Sequence, residues 1–99
     1  MVAFYRSASV PPGKSMSAIA DAKEVAAFAT QVTGVEVRVA IPVGGNPFRI
    51  GWAARYENLG AMEAAMGKLM ADPKDADFSA KSAEHFIAGS FSDEIWRAV

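Results

Sequence analysis

The stretch from Val35 to Glu57, VEVRVAIPVGGNPFRIGWAARYE, constrains the fold more than any other part of the chain. Val35, Val37, Val39, Ile41 and Val43 alternate with Glu36, Arg38, Ala40 and Pro42, the two-residue period of a strand whose faces meet different surroundings. Gly44-Gly45-Asn46-Pro47 breaks that run. Phe48, Ile50, Trp52, Ala54 and Tyr56 then alternate with Arg49, Gly51, Ala53, Arg55 and Glu57. The spacing predicts a β-hairpin with strands over Val35–Val43 and Phe48–Glu57. If Val43 pairs with Phe48, Val39 faces Trp52, Val37 faces Ala54, and all the large apolar residues share one side. That register also sets Glu36 across from Arg55 on the other side, and a one-residue slip loses both features.

The segments on either side follow the same logic. Val2, Phe4, Ala8 and Val10 share one parity, with Arg6 intruding on it, and Ala3, Tyr5, Ser7 and Ser9 take the other, so a first strand is expected over Val2–Val10. Pro11-Pro12-Gly13 ends it, because proline lacks an amide donor and glycine permits a sharp turn. A helix follows, capped by Ser15 or Ser17 and stopped at Gly34, with a buried stripe of Met16, Ile19, Ala22 or Lys23, Ala26, Ala29 and Val32. After the hairpin, Asn58 caps a second helix in which Leu59, Met62, Met66, Leu69 and Met70 recur at helical spacing as a core stripe. Asp72-Pro73 interrupts it, and Lys74 to Glu84 resumes helix-compatible sequence with Phe78 as its lone apolar anchor. A fourth strand is expected within Phe86–Val99, bent near Gly89.

Composition removes whole classes of chemistry. The 99 residues contain no cysteine and one histidine, so disulfides, thiolate nucleophiles and a multi-histidine zinc site within one chain are excluded. The net charge is -1 and the lysines and arginines are scattered, so no basic face is available to bind a nucleic-acid backbone. No apolar run approaches the ~20 residues of a membrane span and no secretory leader precedes the first strand, which points to a cytoplasmic protein with no membrane partner. A chain of this length is expected to form a single domain, 1–99, and to gain stability by association.

Strand, helix, strand, strand, helix, strand is the split βαβ pattern of a ferredoxin-like α+β fold, a four-stranded antiparallel sheet with its helices on one face. Within that frame, Pro12-Gly13-Lys14, Arg55-Tyr56-Glu57-Asn58-Leu59, Leu69-Met70-Ala71-Asp72-Pro73, Gly89-Ser90 and Asp93-Glu94-Ile95 resemble the dimeric α+β barrel superfamily. The resemblance is nearest to its NIPSNAP-like and antibiotic-biosynthesis-monooxygenase-like families. It implies a homodimer with sheets face to face and a cavity for a small molecule, between sheet and helices or inside the barrel. Haem-degrading members carry an axial histidine where this chain has Ser82, so no cofactor is expected and no metal.

The candidate site residues divide by role. Arg38 and Arg55, around the small residues Ala40, Gly51 and Ala53, offer donors to an acid group, while Trp52 offers an apolar wall and Tyr5 and Ser7 offer hydroxyls. His85 or Tyr5 is the candidate for moving a proton. The arginines, Trp52 and His85 have structural alternatives: the arginines with Glu36 as a solvated or dimer-interface charge cluster, Trp52 as core, His85 as a cap on helix carbonyls. The expected function is a small-molecule-binding barrel whose ligand is a hydrophobic carboxylic acid. The alternatives are a cofactor-independent monooxygenase or isomerase, and a non-catalytic assembly module.

Overall fold

A computed structural model describes residues 1–99. Strand β1 (Val2–Ser9) lies between β3 (Arg49–Tyr56) and β4 (Ser92–Arg97), and β2 (Arg38–Ala40) pairs with the outer side of β3, giving an antiparallel sheet in the order β2-β3-β1-β4. Helices α1 (Ser15–Thr33), α2 (Leu59–Ala71) and α3 (Asp75–Ser82) complete the chain. None of them is long and apolar enough to cross a membrane.

The hairpin register is the expected one, with Val39 opposite Trp52, but its ladder is much shorter and runs only from Arg38↔Ala53 to Ala40↔Gly51. Two local competitors end it. Toward the helix, the amides of Val35 and Val37 donate to the hydroxyls of Thr33 and Thr30 on α1, at 3.1 and 3.0 Å, and are lost to the strand. Toward the turn, Pro42 and Pro47 have no amide to give, and Asn46 Oδ1 accepts from the Phe48 amide in an Asx turn at 2.9 Å. The predicted Val43–Phe48 pair is therefore absent, and Val43 is fully exposed. Glu36 does not meet Arg55 either, because its carboxylate accepts from Arg38 Nε two residues along the chain.

Side chains of Val2, Phe4, Arg6 and Ala8 share a face with their β3 partners Tyr56, Ala54, Trp52 and Ile50. The apolar members of that face are buried against the helices. Ala18 and Ala22 on α1 are 0% exposed, which is how a helix with such small side chains lies close on a sheet. The Trp52 indole N–H donates to the Ala22 carbonyl at 3.1 Å and ties β3 to α1. Two cores result, one around Ala8, Ala22, Ile50 and Trp52 under α1, the other around Val2, Phe4, Tyr56 and Met62 under α2.

The helix ends follow the sequence unevenly. Asn58 Oδ1 caps α2 by accepting from the Ala61 amide at 2.8 Å, and Gly34 closes α1 at φ +73, a left-handed conformation that favours glycine. Neither Ser15 nor Ser17 caps α1; the cap position is Lys14, whose carbonyl accepts from the Ser17 hydroxyl at 3.0 Å. Met16 and Lys23 leave the predicted stripe and are exposed, while Ala18, Asp21 and Phe28 join it. In α2 the core takes Met62 and Ala65, and Leu59 and Met70 face out. Phe86 to Phe91 forms turns and not strand, with Gly89 at φ +77, so the fourth strand begins only at Ser92.

Candidate functional site

Arg6 is where the two cores part. It stands on the helix-facing side of β1 between Phe4 and Ala8, opposite Trp52 on one neighbour and Asp93 on the other. Its Nε donates to Asp93 Oδ1 at 2.7 Å and its Nη2 to Oδ2 at 2.8 Å, a two-pronged pair that fixes the guanidinium plane. The guanidinium also lies 5.5 Å from the centroid of the Phe4 ring. A charge placed in an apolar row keeps side chains from closing over it.

At that level a cavity of about 320 Å³ opens between sheet and helices. The sheet supplies Phe4, Arg6, Trp52 and Tyr56, α1 supplies Phe28, and α3 supplies Phe78. Phe91 closes one side and stacks on Trp52 with centroids 6.2 Å apart. Polar groups are few: Asp75, Ser79 and Ser82 from α3 face Arg6 and Tyr56 from the sheet. The Arg6 guanidinium and Asp93 carboxylate are each a little under half exposed, and of the two Arg6 lines the cavity.

The electrostatics follow from these contacts. The bond from Arg6 holds the Asp93 carboxyl below its usual range, against the opposing effect of burial. The bond to Asp93 raises Arg6 in turn. Burial raises the Tyr56 phenol, and the nearby Arg6 charge partly offsets that. A guanidinium has five N–H donors; Asp93 takes two and three remain for a guest.

Helix α3 covers the cavity through three side-chain contacts with α1. Phe78 stacks on Phe28 at 4.4 Å between centroids, Lys81 pairs with Glu24, and the Ser82 hydroxyl donates to Asp21 Oδ2 at 2.8 Å. Asp21 is 3% exposed, and its other oxygen, Oδ1, has no partner.

Of the six candidate site residues Tyr5, Ser7, Arg38, Trp52, Arg55 and His85, Trp52 alone lines this cavity. Tyr5, Ser7, Arg38 and Arg55 lie together on the opposite, open face of the sheet, with Gly51, Ala53, Glu94 and Trp96. There the Ser7 hydroxyl accepts from Arg49 Nη2. His85 follows α3, half-buried, its amide donating to the Ser82 carbonyl at 2.9 Å, and it does not line the cavity. Arg6 was the residue to find, and its signal was a charge on the apolar parity of the first strand. No group of three or more His, Asp or Glu side chains is arranged to hold a metal.

A four-stranded antiparallel sheet with all helices on one face and an apolar cavity beneath them defines the ferredoxin-like α+β class. Solved structures with this fold include NIPSNAP domain proteins and an oxygenase. A NIPSNAP domain protein from Burkholderia xenovorans superposes with a TM-score of 0.85 at 15% identity, covering 100% of this chain and 95% of its own. A NIPSNAP family protein from Agrobacterium tumefaciens gives a TM-score of 0.82 at 16% identity, with 99% and 85% covered. A mutant of SnoaB, a cofactor-independent oxygenase from Streptomyces nogalater, gives 0.69 at 12% identity, with 98% and 91% covered. No protein-family model matches the sequence and no curated protein matches it.

Proposed function

We propose that the chain binds a small hydrophobic carboxylic acid in the cavity between sheet and helices, and that it works as a homodimer with its open sheet faces packed together. The observation that carries the binding half is an arginine with three unused donors at the rim of an otherwise apolar, aromatic-walled cavity. At about 320 Å³ the cavity falls at the small end of ligand sites, suited to one ring or a short chain. A cavity of this kind favours binding over a purely structural role.

A charge-assisted hydrogen bond contributes about 1.5–3 kcal/mol. Asp93 already neutralises part of the Arg6 charge, so the preference for an acid over its ester is set at the lower end, about tenfold. Calorimetric titration of a fatty acid and its methyl ester into wild type and Arg6→Ala, Arg38→Ala and Arg55→Ala tests the assignment. Loss of the preference in Arg6→Ala alone supports the helix-side cavity. Loss in Arg38→Ala or Arg55→Ala moves the acid to the space between paired sheets, and equal affinity for acid and ester throughout removes the arginine-anchored ligand.

A second reading, a cofactor-independent oxygenase, draws on the fold shared with SnoaB and on the aromatic enclosure. Tyr5 can serve it only in a space between two sheets, and His85 only if the segment after α3 moves. Oxygen uptake with an electron-rich phenol and no added cofactor is its test.

A further inference from the structure

The α3 wall of the cavity has a defined hydrogen-bonding sense at Ser82. Ser82 lines the cavity, and a hydroxyl has one proton to donate and two lone pairs to accept with. That proton is committed, because the partner at 2.8 Å is a carboxylate oxygen of Asp21, which can only accept when ionised. What Ser82 has left for a guest is acceptor capacity. Asp21 reinforces this sense, since it is 3% exposed and its second oxygen has no hydrogen-bond partner, so α1 sets an acceptor group behind Ser82. Asp75, on the same wall, adds further acceptor oxygens, and the Ser79 hydroxyl there can turn to donate or to accept. A carbonyl or ether set directly against Ser82 would bring lone pair against lone pair.

We infer that the ligand carries a hydrogen-bond donor, a hydroxyl or an N–H, at the end remote from its acid group, and that Ser82, oriented by Asp21, selects for it. This rests on the cavity being the ligand site, and it narrows the ligand class from an apolar acid to an apolar hydroxy or amino acid, such as a phenolic acid. Asp21 is a positioning residue: it fixes the direction of the Ser82 proton and does not itself line the cavity.

The test titrates straight-chain acids with their ω-hydroxy counterparts, and phenylpropanoic acid with its para-hydroxy and para-methoxy derivatives, into the full chain. The expected result is that a hydroxylated member binds about three- to tenfold tighter than its parent, that the methoxy compound gains nothing, and that in Ser82→Ala the hydroxylated member and its parent bind equally. If Ser82→Ala is too unstable, the double variant Asp21→Asn with Ser82→Ala removes the buried charge and keeps the comparison readable. Binding indifferent to the hydroxyl, an equal gain from methoxy, or an advantage that survives Ser82→Ala overturns this inference alone. No binding by any of the acids overturns the cavity reading with it.

Discussion

At the scale of single residues, Arg6 and Asp93 join positions 87 apart in sequence. Asp93 has a depressed carboxyl in the fold, so the pair stabilises the protein above the ordinary carboxylate range, and that contribution is lost as pH falls through the lower folded value. Both groups are partly solvated, which limits the effect to about 0.5 kcal/mol. Urea unfolding at neutral pH should therefore place Asp93→Asn slightly below wild type, and at pH near 2 the two should coincide. A gap that persists in acid would show that the asparagine disturbs packing instead. Trp52 makes a different contribution, because its indole N–H holds the Ala22 carbonyl inside the core. Trp52→Phe keeps an aromatic wall and loses that bond, with an expected cost of about 1 kcal/mol in thermal or chemical unfolding.

At the scale of elements, α3 is the least anchored part of the cavity. It has no buried residue of its own and touches α1 through Phe78, Lys81 and Ser82. The stacked pair of Phe28 and Phe78 carries most of the apolar contact, worth about 0.5–1.5 kcal/mol beyond its buried area. Phe78→Ala should speed hydrogen exchange of the α3 amides while those of α1 and β3 stay protected; uniform loss of protection would mean that α3 is part of the global core. The short ladder of β2 is also an element-scale outcome. Its valine alternation was legible, and so was its register, but Thr30 and Thr33 took the amides of Val37 and Val35. Periodicity reports which residues want burial, and not which acceptor an amide will find.

At the scale of the whole molecule, the sheet has one face under helices and one face open. Tyr5 and Trp96 are 44% and 60% exposed on the open face, among Arg38, Arg49, Arg55 and Glu94. If two copies pack these faces together, Tyr5→Glu at the centre, beside Glu94, should yield monomers in sedimentation while thermal stability per chain changes little. An unchanged mass would argue against that interface. The sequence by itself determined what is local: the strand and helix identities, the Asn58 and Gly34 caps, the hairpin register, and the face on which Trp52 lies. Each depends on neighbours a few residues away or on a two-residue period. Only the tertiary structure decided that β4 lies beside β1, so that Asp93 meets Arg6, and that α3 folds over the gap between two cores, so that Ser82 meets Asp21. The sequence-based site gathered the arginines of the open face because alternation sorts residues into faces. Which face encloses a cavity depends on how helices pack over a charged residue in an apolar row, and that is a property of strand order and shape, not of spacing.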